Sequence, residues 1–380
     1  MYPCWREFVF HASARQTRER ERVKLFYQIH CLVEDLSAEN IAKLEETIAP
    51  FSAFSSIEFL DISNEELEPR HNYRKLDPLI ASEIKKLYLK LNAFSQKRFS
   101  KMIMCRFFFA SLFPQYDKMI MFDVDTLFVG DISESFFIPL GTHYFGAVRE
   151  KDLIAMDRNS AKDLYELRQM HAKTIGVADA FPNLDAFPNL EEAQILFDNY
   201  FNAGFLALNL KLWREENLQN QLIGFFLLKN EKLLFPEQDA LCFVCRGRIL
   251  ELPYSYNAHP SFLDTPSFPS IKEARMLHFW GDKPWKLLSV IGAKKWHEIL
   301  IQTPFKDAYF NALFLDHLFE SLQNKDKETQ EIHALKKALS FSDKRHSFEF
   351  LLPRLSSKLL IEFLLFKAKQ KVKRLIKRVF

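Results

Sequence analysis

Two aspartates close an apolar stretch in the middle of the chain and could do chemistry together. The stretch is KMIMFDVDTLFVG at residues 118–130, and its carboxylates belong to Asp123 and Asp125. Two carboxylates at this spacing supply the hard oxygen ligands that Mg²⁺ and Mn²⁺ prefer. The same pair also fits a covalent nucleophile with its acid, or a turn in which Asp125 and Thr126 lead the chain into GDIS.

The nucleophile alternative corresponds to the D-x-D-x-T signature of haloacid dehalogenase-type phosphatases, which the letters DVDTL match. That chemistry needs a lysine and a later acidic pair near a second Gly-Asp. The later Gly-Asp of this chain is Gly281-Asp282, and the next acid after it is Glu298. The downstream residues therefore disfavour the phosphatase.

An alternation of strand and helix patterns places the two acids in an α/β fold. Strand and helix patterns follow one another at residues 25–35, 37–50, 55–63, 80–94, 100–114 and 118–130. Ser37 begins the first helix with a capping-box-like sequence. We therefore predict a largely parallel, layered sheet flanked by helices. Ligands bind beyond the carboxyl ends of such strands, where Asp123 and Asp125 lie.

Beyond the acidic pair the pattern changes. Residues 151–198 are polar and contain the short duplication AFPNLDAFPNL, which predicts an inserted loop. Strand patterns return at residues 199–213 and 274–281. After Trp285, helical patterns continue to the end of the sequence.

The composition describes a folded chain and excludes several classes of protein. Of the 380 residues, 48% are hydrophobic and 27% are charged, unlike a disordered chain. The 9 glycines form no Gly-rich phosphate loop, so a nucleotide must be held by other means. Cys242 and Cys245 lie in an apolar run that predicts a buried helix or strand rather than zinc or redox chemistry. Neither an apolar run of about 18 residues nor a signal-peptide pattern occurs, which indicates the cytoplasm.

The last residues form a basic segment. Residues 367–380 carry seven basic residues and no acidic one, so the rest of the chain has a net charge of about −4 (+3 minus 7). Apolar residues repeat along one helical face from Ile361 to Phe380. This pattern favours a helix on an anionic membrane surface, with a packed terminal helix as the alternative. Nucleic acid is disfavoured, because no aromatic residues are interleaved with the charge.

Four stretches resemble glycosyltransferase family 8 in residue pattern and order. They are RFFFASLFPQYDKMIMFDVDTLFVGDISE, NYFNAGFLALNLKLWREEN, FPEQDAL and MLHFWGDKPWK. The resemblance covers residues 25–286 and implies a GT-A fold with a largely parallel sheet. It also implies retaining transfer of galactose or glucose from a UDP-sugar. The family includes bacterial lipopolysaccharide galactosyl- and glucosyltransferases, so the implied acceptor is a lipopolysaccharide or lipooligosaccharide core, or another glycan.

The resemblance assigns a metal role to three residues. Asp123, Asp125 and His278 match the positions that hold Mn²⁺ on the UDP diphosphate, and two oxygens with one imidazole suit Mn²⁺, or Mg²⁺, as cofactor. Lys283 would neutralise the diphosphate as it leaves, and Trp285 is expected to pack. The cofactor-binding residues implied by the resemblance are Arg106, Asp123, Val124, Asp125, Glu150, Gly281 and Lys283.

The catalytic residues implied by the resemblance surround the donor sugar. Asn202 would hydrogen-bond sugar hydroxyls, and Gly204 lets the backbone pass close beside it. Glu237 stands where the family has aspartate, and its extra methylene could move the carboxylate by about 1 Å. Asp239 is an alternative acid. Gln238 matches the residue beneath the anomeric carbon, and because an amide is a poor nucleophile, we predict front-face attack rather than a covalent intermediate.

Residues 1–24 depart from the family. Its first strand carries a pattern like A-x-D-x-x-Y that holds uracil and ribose, and these residues contain no match to it. The run TRERER is typical of a solvated surface rather than a buried strand. Three accounts fit: an altered reading frame or start, a divergent base pocket, or a chain that no longer binds UDP. The competing prediction is therefore a family member without catalysis.

The predicted organisation follows from these patterns. It comprises an atypical segment at 1–24, a GT-A domain at 25–286, a helical region at 287–357 and a membrane-associating helix at 358–380. We expect a cytoplasmic enzyme that is peripheral on the inner face of the cytoplasmic membrane. Its partners would be a UDP-hexose donor, a glycolipid or oligosaccharide acceptor and anionic lipid, with no nucleic acid.

Overall fold

The structure is a computed structural model that describes part of the chain. Described are the backbone of residues 7–14 and residues 25–63, 72–150, 199–230, 233, 235–264 and 268–313. The chain forms two compact units, Met1–Phe305 and Lys306–Phe380. The predicted insertion at 151–198 and the predicted membrane helix at 358–380 lie outside the described residues.

Strands form the centre of the first unit. Those in the described residues are β1 (Glu7–Ala14), β2 (Leu25–Val33), β3 (Ser55–Asp61), β4 (Tyr73–Lys75), β5 (Lys118–Asp123), β6 (Thr126–Phe128), β7 (Phe145–Arg149), β8 (Phe201–Asn209), β9 (Ile249–Glu251) and β10 (Met276–His278). Eight of them form one sheet in the order β4-β3-β2-β1-β5-β8-β7-β9, and β6 pairs with β10 in a separate sheet.

Strand direction in the large sheet bears out the predicted α/β class. Six of its eight strands share one direction, whereas β1 and β8 run against it. The reversed β1 lies between β2 and β5, so its first residue, Glu7, pairs with Asp123 at the last residue of β5. Most strands therefore share one direction, as predicted, whereas the two reversed strands make the four pairings between β2 and β7 antiparallel.

Helices alternate with the strands. Those in the described residues are α1 (Ala38–Ile48), α2 (Pro78–Leu89), α3 (Ala93–Arg98), α4 (Met102–Cys105), α5 (Phe109–Leu112), α6 (Ser133–Phe137), α7 (Leu210–Glu215), α8 (Leu218–Lys229), α9 (Pro236–Val244) and α10 (Ala293–Leu300). Ser37 caps α1 as predicted, because its hydroxyl accepts the Asn40 N–H at 3.2 Å. In the described part of the chain, no helix has the length and apolar character needed to cross a membrane.

The helix predicted over residues 80–94 is interrupted. Helix α2 ends at Leu89, and α3 begins after Asn92, whose side chain accepts the Ser95 N–H at 2.8 Å. An asparagine side chain that bonds the local backbone favours a new helix start over continuation. Cys242 in α9 and Cys245 just after it are buried, in agreement with the predicted buried element.

In the second half of the chain, the predicted end of one strand and the predicted start of one helix are wrong. The strand predicted to residue 213 stops at Asn209, because the Asn209 side chain accepts the Leu212 N–H at 3.2 Å and starts α7. The helix predicted after Trp285 begins only at α10, after turns at residues 286–292. Gly292 precedes α10 with a φ of 90°, a left-handed conformation that favours glycine.

Strand β5 connects the two core layers to the acidic pair. Met121 packs in the core that also contains Phe107, and Phe122 packs in a second core. Because side chains alternate along a strand, Asp123 falls on the face of Met121. The 3₁₀ turn Arg106–Phe108 between α4 and α5 lies on this face, within the predicted helix 100–114. Asp123 and Arg106 are thereby brought together.

Candidate metal centre and its surroundings

The three predicted metal ligands meet at the carboxyl end of β5. Asp123 ends β5, Asp125 lies in the turn before β6, and His278 ends β10, where it pairs with Thr126 of β6. Nε2 of His278 is 3.1 Å from Oδ1 of Asp125 and 3.7 Å from Oδ2 of Asp123. One ligand atom from each residue lies within 4.8 Å of the others. This is the spacing of a site for one cation.

Two basic residues hold the outer oxygens of the aspartates. Arg106 forms an ion pair with Oδ1 of Asp123, and Lys283 forms one with Oδ2 of Asp125. Nζ of Lys283 also donates to the carbonyl of Phe279 at 2.6 Å. The remaining oxygen of each aspartate is then turned toward His278. Two carboxylate oxygens and an imidazole nitrogen make a donor set that fits Mn²⁺, and Mg²⁺ less well.

The two aspartates differ in protonation chemistry. Burial raises the pKa of Asp123, and the opposing charges of Arg106 and His278 do not reverse this shift. The neighbouring Asp125 carboxylate adds to it. Burial also acts on Asp125, but His278 and Lys283 outweigh it and hold the pKa of that carboxyl well below its usual range. Asp125 is therefore the more firmly ionised ligand.

Arg106 joins the metal centre to the predicted sugar-binding acid. Its guanidinium donates to Oε1 of Glu237 at 3.1 Å as well as to Asp123, and Arg106 and Glu237 are both buried. Burial raises the pKa of Glu237, against the opposing charge of Arg106. Within the described part of the chain, no hydrogen-bond partner reaches the buried Oε2 of Glu237. This oxygen can accept a hydrogen bond from a ligand.

Gln238 and Asp239, which follow Glu237 at the start of α9, make hydrogen bonds to different parts of the chain. Oε1 of Gln238 accepts the Ala203 N–H at 2.9 Å, which fixes the amide and leaves Nε2 as its donor group. The oxygens of Asp239 accept from the Tyr200 hydroxyl at 3.0 Å and the Phe235 N–H at 3.2 Å. Because both oxygens of Asp239 already accept hydrogen bonds within the fold, the geometry favours Glu237 as the acid at the site.

A bulge in β8 carries the next two predicted residues. Leu206 pairs with Ala147, whereas Asn202 pairs with Val148, so residues 203–205 bulge from the ladder between β7 and β8. Nδ2 of Asn202 donates to Oε2 of Glu150 at 3.1 Å. The bulge therefore sets Asn202 beside the acid that follows β7.

Gly204 lies in this bulge against the metal centre. A Cβ atom at this position would overlap Cε1 and Nδ1 of His278 and lie 2.9 Å from Oδ1 of Asn202. The Gly204 N–H donates to the same Asn202 oxygen at 2.9 Å. The predicted close backbone approach is thus an approach to His278.

The remaining predicted residues lie nearby. Val124 is half-buried between the two aspartates, and Gly281 has a φ of 97°, in the turn that leads to Lys283. Trp285 packs against Trp296 with ring centroids 5.7 Å apart, in agreement with a packing role.

Sequence reasoning missed two neighbours of His278. Asn257 is fully buried, with Oδ1 2.9 Å from Nδ1 of His278. Trp280 places its ring edge-on to the imidazole, with centroids 4.5 Å apart. Trp280 stands inside the MLHFWGDKPWK stretch, where it could have been found. Asn257 stands in a tyrosine-rich loop with no motif, so the sequence carried no signal for it.

Comparison with known proteins identifies the family of the chain. The sequence profile of Glycosyl transferase family 8 matches residues 2–288. The chain therefore belongs to glycosyl transferase family 8. The match includes residues 2–24, which lie before the resemblance described above for residues 25–286. The predicted GT-A class of α/β fold is confirmed.

The three relatives named below are distant in sequence from this chain. Lipopolysaccharide 1,2-glucosyltransferase of Escherichia coli K12 is 24% identical over 201 residues, which are 50% of this chain and 51% of that protein. The chain thus spans about half the length of this curated relative. Among solved structures, the galactosyltransferase LgtC is 17% identical with a TM-score of 0.48, covering 72% of this chain and 95% of that chain. WbbM, a bifunctional glycosyltransferase, is 20% identical with a TM-score of 0.47, covering 78% and 53%.

Proposed function

We propose that the chain is a retaining hexosyltransferase. It would move galactose or glucose from a UDP-sugar to a lipopolysaccharide or lipooligosaccharide core, or to another glycan acceptor. The convergence of Asp123, Asp125 and His278, with one ligand atom from each turned inward, carries the proposal. A bound Mn²⁺ would supply positive charge to the donor diphosphate. The named activity of the Escherichia coli relative supports this acceptor class.

Fixed positive charge from the chain would assist departure of the diphosphate. Lys283 pairs with Asp125 and is 25% exposed, so it can also contact a bound diphosphate. Arg106 is 6% exposed and held by two acids, so it acts as a fixed charge between nucleotide and sugar. A phosphatase is not favoured, because Arg106 already occupies the outer oxygen of Asp123, the acid that would attack.

The buried acids would bind the donor sugar. Oε2 of Glu237 is a desolvated acceptor that a sugar hydroxyl can satisfy, which lowers the cost of its burial. Asn202 and Glu150 hold one another at 3.1 Å and supply further polar groups. We assign sugar binding to these three residues.

Gln238 favours attack from the front face of the sugar. An amide is a poor nucleophile, and one lone pair of its oxygen already accepts the Ala203 N–H. The acceptor hydroxyl would attack on the side from which UDP leaves, and its proton would pass to the diphosphate oxygen. The role of Gln238 is to support the sugar from beneath the anomeric carbon.

A donor-turnover assay tests the proposal. The full chain is incubated with UDP-galactose or UDP-glucose, with Mn²⁺ or with EDTA, and UDP release is measured. We expect release with one of the two donors and its loss in EDTA. Release of inorganic phosphate without a sugar acceptor would indicate the phosphatase. A folded chain that releases UDP from neither donor would contradict the proposal.

One observation favours a second candidate, a family member without catalysis. Because β1 is antiparallel to β5, its first residue, Glu7, reaches the edge where Asp123 lies. The family's uracil-binding pattern belongs to the first strand, and residues 1–24 do not contain it. Such a chain would bind Mn²⁺ no more tightly when UDP is added, whereas a transferase would bind it more tightly.

We also propose that residues 358–380 bind anionic membrane on the cytoplasmic face. Seven basic residues on an amphipathic pattern support this, because each Lys or Arg near such a surface contributes about 1 kcal/mol. Deletion of 358–380 should release the protein from anionic liposomes and spare donor hydrolysis. Persistent liposome binding after the deletion would contradict the anchor.

A further inference from the structure

Asn257 occupies a position that no sequence motif marks, between the sugar-binding and metal-binding residues. It follows the 3₁₀ turn Tyr254–Tyr256 and is fully buried. Its Nδ2 is 2.8 Å from Oδ1 of Asn202, and its Oδ1 is 2.9 Å from Nδ1 of His278. The side chain therefore bridges Asn202 and His278.

The direction of every bond in this bridge follows from one backbone group. The Gly204 N–H can only donate, so the Asn202 atom that faces it is the oxygen. That oxygen also receives Nδ2 of Asn257, so the other amide atom of Asn257 is an oxygen as well. An oxygen facing Nδ1 of His278 requires the proton on Nδ1. At the far end, Nδ2 of Asn202 donates to the Glu150 carboxylate, which agrees with the same assignment.

The backbone holds Asn257 beside His278. The residue after it, Ala258, donates its N–H to the Met276 carbonyl at 3.0 Å and accepts the His278 N–H at 2.9 Å. These two bonds tie the loop alongside β10, so the spacing between the Asn257 and His278 side chains does not depend on a flexible connection.

We propose that Asn257 is a positioning residue for the metal site, an inference that rests on the proposed function. By accepting a hydrogen bond from the Nδ1–H group, Asn257 leaves Nε2 of the neutral imidazole as the ring atom that would bind the metal together with the two aspartates. Partners of this kind on the second ring nitrogen orient metal-binding histidines. Through Asn202, the same side chain links the metal ligand to the sugar-binding residues.

Two substitutions separate the acceptor role from simple packing. Asn257→Leu removes the acceptor while keeping the branching at Cγ, so His278 should lose its single tautomer and Mn²⁺ affinity should fall about 10- to 100-fold. Asn257→Asp keeps an acceptor for Nδ1, so tautomer and affinity should remain, while the bond to Asn202 is lost and KM for the donor rises. Asn209→Leu is the control, because it removes side-chain hydrogen bonds to His143 and Leu212 away from the site.

The tautomer is read by ¹H–¹⁵N NMR of ¹⁵N-histidine-labelled, metal-free full chain at alkaline pH. His278→Gln identifies the signal. Mn²⁺ affinity is measured separately by calorimetry. An Asn257→Leu protein that keeps the Nδ1–H tautomer and its Mn²⁺ affinity would overturn the proposal. If that variant does not fold, loss of the tautomer in Asn257→Asp would overturn it. Failure of wild type to bind Mn²⁺ would count against the proposed function, whereas the tautomer tests Asn257 independently.

Discussion

Asp123 and Asp125 are two residues apart and similarly exposed, at 22% and 19%, yet their pKa values shift in opposite directions. The difference lies in how positive charge is distributed around them. Arg106 is shared between Asp123 and Glu237, so one guanidinium serves two carboxylates. Asp125 has both His278 and Lys283 as partners.

This difference divides the site into a rigid half and an adjustable half. The Asp123 half is centred on Arg106, which is 6% exposed and joined to two acids, so its geometry is fixed by ion pairs. The Asp125 half is centred on Lys283, which is 25% exposed and has a flexible stem. We infer that the first half positions the donor and the second half exchanges charge with it.

The largest expected effect comes from breaking the Asp125 half. Asp125→Asn keeps the shape but removes the firmly ionised ligand, so Mn²⁺-dependent turnover should fall below detection. The assay is UDP release from the donor. Asp117→Asn is the matched control, because Asp117 is an exposed acid just before the same strand and its side chain pairs only with Arg214 among the described residues. Retained turnover in Asp125→Asn would rule out the metal clamp.

The rigid half is tested by Arg106→Lys. A lysine keeps the charge but cannot donate to Asp123 and Glu237 from one planar group. We expect kcat/KM to fall about 100-fold, because small misplacements at a reacting centre have effects of this size. The exposed Arg214→Lys serves as control. Activity of Arg106→Lys within a few-fold of wild type would show that the shared guanidinium is dispensable.

Gly204→Ala tests the position of the His278 imidazole, which lies next to both aspartates. The added methyl group must displace His278, so Mn²⁺ affinity should fall about 10-fold or more. In contrast, a Cβ at Gly224 in α8 meets nothing within 4 Å, so Gly224→Ala should leave affinity unchanged and stabilise by up to about 1 kcal/mol. Equal Mn²⁺ affinity in the two variants, measured by calorimetry, would contradict the close approach.

The smallest effect is the pH dependence of stability in chelator-treated protein. Because the pKa of Asp123 is raised in the folded state, this carboxyl group contributes to the free energy of unfolding below its unfolded pKa of about 3.9. That contribution is lost as pH rises through the pKa of the folded state. Because the pKa of Asp125 is lowered in the folded state, its contribution to the free energy of unfolding is present above about pH 3.9 and is lost as pH falls.

Denaturant unfolding across this range should therefore give opposite trends. As pH rises, the stability of wild type relative to Asp123→Asn should fall, and its stability relative to Asp125→Asn should rise. Parallel trends for the two variants would show that the two carboxyl groups do not differ in the way described.

The sequence predicted the parts of the site that depend on local order. Asp123 and Asp125 follow an apolar strand, and strand alternation with a family motif was enough to bring His278 to them. The ends of elements were harder, because Asn92 and Asn209 start helices through side-chain bonds to the backbone that compete with the pattern around them.

Contacts between distant segments had no local signal. Arg106 and Glu237 are separated by 131 residues, and Asn257 and Asn202 by 55. The pairing of Asn257 with Asn202 depends on the bulge in β8 and on the loop tied to β10, both of which are set by tertiary hydrogen bonds. Periodicity describes which face a residue occupies, but it does not specify the partner across that face.

The central claim is a metal-dependent nucleotide site, and calorimetry of UDP binding to the full chain tests it most directly. Titrations are run with Mn²⁺, without Mn²⁺, and with the Asp125→Asn variant. We expect micromolar binding that requires Mn²⁺ and disappears in the variant. A folded wild-type protein that does not bind UDP, or binds it equally well without Mn²⁺, would contradict the account.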